Sequence, residues 1–223
     1  MGTKERFEAT AAEVARVCEA AGRKPSEVTL VAVSKTVGPD QVAEAIAGGA
    51  TDFGENRPDQ LVPKADEFTQ ATWHFIGNIQ SRRIRDIVGR AALVHSLFEE
   101  RHARKINDVA RERGIVQDVL VEVNVSGEES KSGLAPDQVR AMLQTCADLP
   151  NVRVRGLMTM APQGDLDVAR RTFAGLRALR DELQPSFPDL TELSMGMSED
   201  WPVAIEEGAT IVRIGRAIFS ETF

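Results

Sequence analysis

Residues 29–36 read TLVAVSKT, an apolar and largely β-branched run that ends in a lysine and a threonine. No polar residue interrupts Leu30 to Val33, which predicts a strand buried on both faces, as in a parallel sheet. Lysines are rarely buried without a partner, so Lys35 reads either as an ordinary surface strand end or as an amine aimed into a site. The rest of the chain decides between the two.

Seven more strand-like runs follow: TDFGE (51–55), WHFIG (73–77), LVHSL (93–97), DVLVEVNVS (118–126), VRVRGLMTM (152–160), ELSMG (192–196) and IVRIG (211–215). Helical patterns lie between them, several closed by a glycine as a helix C-terminus should be, at Gly49, Gly114 and Gly208. Strict alternation of this kind means βαβ units and a parallel sheet. Eight strands predict a closed (β/α)8 barrel, and an open doubly wound sheet fits that count less well. The chain runs out soon after strand eight with no full helix to follow. A helix expected at about 4–21, with Phe7, Val14, Val17 and Cys18 near one stripe, would cover that gap. No linker or low-complexity segment interrupts the pattern, so residues 1–223 read as one domain.

Composition narrows the function. A chain of 223 residues with 42% hydrophobic and 27% charged residues is ordinary for a soluble α/β domain. The net charge of −7 argues against a general binder of nucleic acid or anionic membrane. Cys18 and Cys146 lie far apart in expected helices and read as small apolar fillers in a reducing compartment. There is no apolar run of membrane-spanning length, and the N-terminus is charged from Lys4, so neither a membrane span nor a signal peptide is expected. The expected location is cytoplasmic.

A barrel changes the reading of Lys35, because active sites of this fold form at the C-terminal ends of the strands. The expected mouth holds Lys35, Glu55, Asn56, Gly77, Asn78, Ser96, Asn124, Met158 to Met160, Ser194 to Ser198, Arg213 and Gly215. That set is too polar for a sealed core and too poor in acids for a metal cage. Loops after strands seven and eight often hold phosphate at a short helix. Here the first of them is SMGMSEDW (194–201), with Gly196 permitting close backbone approach and Ser198 in an N-cap position before Glu199 and Asp200. His74, His95 and His102 are not spaced as a metal set and read as satisfied structural histidines. In strand five, Asp118, Leu120, Glu122 and Asn124 share one face, and the valines between them should pack on helices. Glu122 reads as polar filling of the barrel or as a buried acid/base. SRRIR (81–85) reads as a solvated basic face.

VAVSKT (31–36), FGEN (53–56), WHFIGNIQS (73–81), VEVNVSGEESKSG (121–133), RGLMTM (155–160), LSMGMSEDWPVAI (193–205) and VRIGRAIF (212–219) occur in order along nearly the whole chain. Together they resemble the YggS/PROSC family, the pyridoxal-phosphate-binding homeostasis proteins, which share the barrel of the alanine racemase N-terminal domain. The resemblance implies a monomeric carrier of pyridoxal 5′-phosphate (PLP) that takes part in intracellular vitamin B6 homeostasis, with PLP-dependent apo-enzymes as its partners. Lys35 matches the family's Schiff-base lysine. An ordinary lysine is protonated at neutral pH and only the free amine adds to an aldehyde, so burial is expected at Lys35. Ser198 matches the hydroxyl that holds the phosphate, with Ser194, Gly196 and the backbone around Gly215 and Arg216 completing the cradle. Asn56 and Met158 are assigned to the surroundings of the ring, and Arg213 matches the arginine facing the pyridine nitrogen.

A guanidinium is charged and donates only, so it favours an unprotonated ring nitrogen and a weak electron sink. Alanine racemases add a tyrosine as second acid/base group, and this sequence contains no tyrosine. The expectation is therefore a carrier with little or no catalysis. Two alternatives stay open: a PLP enzyme acting on amino acids, such as a weak racemase, and a Schiff-base aldolase acting through Lys35. Departures from the family pattern are peripheral: Arg57 stands in place of a tyrosine, Asn78 in place of histidine or proline, Arg82-Arg83 in place of Asn-Lys, and Phe98 in place of aspartate. The ending Phe219-Ser220-Glu221-Thr222 is also atypical.

Overall fold

The run that begins at Thr29 forms strand β1 (Thr29–Val33), the first of eight parallel strands in a computed structural model that describes residues 1–128 and 131–220. The others are β2 (Asp52–Glu55), β3 (Thr72–Phe75), β4 (Leu93–Leu97), β5 (Gln117–Glu122), β6 (Val152–Met158), β7 (Glu192–Ser194) and β8 (Ile211–Ile214). Each pairs with its sequence neighbours, and β1 pairs with β8 to close the barrel. The atypical ending falls partly on Glu221 and Thr222, and the VEVNVSGEESKSG stretch partly on Glu129 and Ser130; these four lie outside the described residues.

Several strands end earlier than their apolar runs. β1 stops at Val33 rather than Lys35, β5 at Glu122 rather than Ser126, and β7 at Ser194 rather than Gly196. Ladder pairing sets these ends, and hydrophobicity does not. Above the rim, neighbouring chains diverge into loops, so the residues nearest the mouth lie just past their strands.

Period-two alternation splits each strand between two environments. On β5, Val119, Val121 and the following Val123 join the large layer between sheet and helices, while Leu120 points inward. Inside the barrel, Val31, Leu93, Leu120, Met158 and Ile211 form a separate apolar cluster, with Met160 against it. Polar inward positions include His74, His95, Ser194 and Arg213, all buried.

Outside lie helices α1 (Thr3–Ala20), α2 (Pro39–Ala47), α3 (Pro58–Glu67), α4 (Ile84–Ile87), α5 (Glu100–Glu112), α6 (Val139–Ala147), α7 (Leu166–Leu183), α8 (Trp201–Glu206) and α9 (Arg216–Phe219). α1 buries Phe7, Val14, Val17 and Cys18 and packs on α2, α8 and α9, so it covers the gap left by the four-residue α9. Arg6 Nε ties the two ends together by donating to the Ile218 carbonyl at 2.8 Å. SRRIR is a 3₁₀ turn leading into the short α4, and the chain turns at Gly89, whose φ of +76° suits glycine. Both cysteines are free and buried, and burial pushes the Cys146 thiol up to about 12. Among the described residues, no helix is long and apolar enough to cross a membrane.

Candidate functional site

Loops after β1, β6, β7 and β8 enclose a cavity of about 650 Å³ at the C-terminal end of the barrel. Lys35, Ser198, Arg213, Gly215 and Arg216, all picked out from the sequence, line it.

Lys35 enters from the first loop. The burial expected of it is not found: the residue is exposed in the mouth, and among the described residues it has no ion-pair partner. The buried residue is its neighbour Ser34, whose hydroxyl donates to Glu55 Oε1 at 2.7 Å. The Ser34 carbonyl accepts from Lys64 Nζ at 2.8 Å, and Lys64 also pairs with Glu55 at 2.6 Å. The backbone just before Lys35 is thus pinned while its side chain stays available. This also corrects the placement of Glu55, which alternation turns away from the mouth and against α3.

Arg213 reaches the cavity from β8 with only 4% of its surface exposed. Its Nη1 donates to Ser194 Oγ, and its Nη2 to the Thr159 carbonyl at 3.2 Å. Burial pulls its pKa down to about 10, against the opposing charges of Asp200 and Glu122, so it stays charged at neutral pH. Glu122 is itself buried and takes a hydrogen bond from Ser132 at 2.7 Å. Burial raises its carboxyl above the usual range, with the Ser132 bond and the Arg213 charge pulling the other way.

The loop after β7 differs from its sequence reading. Ser198 is not the helix cap; α8 starts at Trp201 with Asp200 in the cap position. The Asp200 carboxylate instead accepts the Met197 N–H at 2.6 Å and closes the loop on itself. Ser198 makes no hydrogen bond among the described residues, which leaves its hydroxyl to the cavity. Gly196 sits at φ +93°, and a Cβ there would lie 2.6 Å from Ala204 Cβ, so only glycine lets the loop press on α8.

Of the other expected residues, Met197 also lines the cavity and the rest do not. Met158 belongs to the interior cluster. Ser194 is fully buried between His95 and Arg213. Asn56 is half-buried, with a side-chain oxygen that is enclosed and unpartnered. Ser96 donates to the Gly77 carbonyl, and Asn124 accepts from Ser126 and the Gly127 N–H, organising its own loop.

The family model described as the alanine racemase N-terminal domain matches residues 7–222. A pyridoxal phosphate homeostasis protein of Aquifex aeolicus is 42% identical over 99% of both chains. One from Pseudomonas aeruginosa is 42% identical over 96% of this chain and 94% of its own. The chain belongs to the pyridoxal phosphate homeostasis protein family. Among solved structures, PipY of Synechococcus elongatus with PLP bound superposes at a TM-score of 0.82 and 36% identity, covering 92% of this chain and 98% of its own. An alanine racemase of Clostridium difficile shares the fold at a TM-score of 0.73 and 14% identity, and the match spans about half of that chain (55%).

Beyond what its family motifs point to, the structure adds the Ser34–Glu55–Lys64 anchor, the cavity wall between Pro162 and Leu166, and a hydrogen bond between His74 and His95. For the histidines a signal was present: both occupy inward positions of adjacent strands. For Lys64 there was none, because its partner comes from another element.

The residues on the cavity wall fit PLP by their donor chemistry. A primary amine, an uncommitted hydroxyl beside a glycine-bearing loop and a buried guanidinium surround one cavity.

Proposed function

We propose that this protein binds PLP covalently on Lys35 and serves as an intracellular carrier or buffer of the cofactor, with residues 1–223 as one binding unit. The observation that carries the reading is that Lys35, Ser198 and Arg213, from three distant parts of the sequence, line a single cavity. PLP supplies an aldehyde that condenses with a primary amine, and Lys35 offers one. Ser198, with the backbone around Gly215 and Arg216, holds the phosphate. Arg213 faces the ring nitrogen and, being charged and a donor only, keeps it an acceptor. Asn56, Met158, Ser194 and Gly196 support the wall from behind and beneath. In this reading the protein acts as a cytoplasmic monomer and passes the cofactor to PLP-dependent apo-enzymes.

Borohydride reduction of the PLP-loaded protein followed by peptide mapping tests the assignment. The pyridoxyl group is expected on Lys35. Label on Lys64, Lys105 or Lys131 instead would overturn it.

A further inference from the structure

Five polar side chains stand in series inside the barrel. Asp52 Oδ1 lies 3.0 Å from His74 Nε2, and His74 Nδ1 lies 2.9 Å from His95 Nε2. His95 Nδ1 is 2.8 Å from Ser194 Oγ, which accepts from Arg213 Nη1. The residues come from β2, β3, β4, β7 and β8, and the step from β4 to β7 crosses the interior. His74, His95, Ser194 and Arg213 are buried, whereas the Asp52 side chain keeps 21% of its surface in solvent.

With one proton on each histidine and none on the Asp52 carboxylate, one order of donors satisfies the whole series. Arginine only donates, so Ser194 Oγ accepts from it, and the single hydroxyl proton is left for His95 Nδ1. His95 is neutral, because burial above all, with the Arg213 charge acting the same way, holds it well below the usual range. Its proton therefore sits on Nε2 and goes to His74 Nδ1. The His74 proton then sits on Nε2 and goes to the Asp52 carboxylate. Every bond points the same way and ends on an anion, an arrangement in which successive bonds strengthen one another. The Thr51 hydroxyl holds the other Asp52 oxygen at 2.7 Å. The remaining charges near Arg213 are Glu122 of β5 and Asp200 before α8, and β1 and β6 contribute apolar Val31 and Met158 to this interior.

We propose that Asp52, His74 and His95 are positioning residues for Arg213: a one-directional hydrogen-bond chain that makes Ser194 its acceptor and fixes the guanidinium against the cavity. Its effect on bound cofactor rests on the PLP reading above, but the chain itself does not.

Two measurements test it. The first uses the full chain freed of cofactor: long-range ¹H–¹⁵N correlation near neutral pH, with the three histidines assigned from single variants. Neutral Nε2–H tautomers are expected at both His74 and His95. An Nδ1–H tautomer or an imidazolium at either would overturn the chain. The second uses PLP-loaded protein and reads the visible absorbance band against pH. Asp52→Ala and His95→Leu should each move its midpoint by about half a pH unit or more, as loss of a charge or hydrogen-bond partner does. His95→Gln, whose amide accepts from Ser194 and donates to His74, should restore the wild-type profile. Unmoved profiles in both disrupting variants would overturn the positioning role. Failure of the PLP reading looks different: Lys35 takes no label, while the tautomers still report on the chain.

Discussion

Ser198 makes the sharpest residue-scale prediction, because its hydroxyl is committed to nothing else among the described residues. Hydrogen bonds to a phosphate contribute about 1.5–3 kcal/mol each, so Ser198→Ala should weaken PLP binding roughly ten- to a hundredfold. Titration with PLP checks this, and pyridoxal without phosphate should bind equally poorly to both proteins. A second prediction concerns His95, held below its ordinary value of 6.5 mainly by burial. Below that pH the unfolded chain takes up a proton at this residue and the folded one does not. The unfolded state thus binds more protons, and stability falls as pH falls, by at most about 1.4 kcal/mol per pH unit from this group. Urea midpoints from neutral to mildly acidic pH should show the decline, and His95→Gln should flatten it. An equally steep decline in the variant would place its origin elsewhere.

At the scale of elements, the second βα unit, β2 with α3, is held by a buried ion pair. Lys64 of α3 and Glu55 of β2 meet at 2.6 Å with 4% and 0% of their side chains exposed, and both also bind Ser34. Such a pair is weak evidence of net stabilisation, but removing one partner strands a charge. Lys64→Met should destabilise the protein by about 3–5 kcal/mol, and adding Glu55→Gln should recover part of that loss. Denaturant midpoints of the two variants decide it. Because Ser34 precedes Lys35, the single variant should also label less well with PLP and borohydride. The loop after β7 shows the same logic in another form. Asp200 turns back to Met197 and Gly196 removes a Cβ, and together they expose Ser198 to the cavity.

For the whole molecule, the question is what a PLP-loaded barrel of this composition does not do. Arg213 remains charged, and no tyrosine exists anywhere in the chain to act as a second acid/base group. Bound cofactor should therefore support little removal of an amino acid's α-hydrogen. With L-alanine in deuterated water, the loaded protein should exchange that hydrogen at close to the rate of free PLP. Exchange on the order of 1 s⁻¹ or faster, as enzymes achieve, would show a catalyst rather than a carrier.

Fold and site were legible in the sequence to different depths. Eight apolar runs alternating with helical patterns predicted the barrel, and the Val119–Val123 parity predicted which side of β5 meets the helices. Both signals are local: strand period and element alternation depend only on neighbours along the chain. Lys35 and Ser198 could be picked out because each stands at or just past the end of a recognisable run, and Arg213 because it is a lone charge inside the apolar run 211–215. The tertiary structure alone decided that Lys35 is exposed, that Asp200 rather than Ser198 occupies the cap position, and that Glu55 faces away from the mouth toward Lys64. It alone joined His95 to Ser194 across 99 positions of sequence. Such contacts follow from how far each strand is staggered as the barrel closes, a property of all eight strands together that no single segment carries.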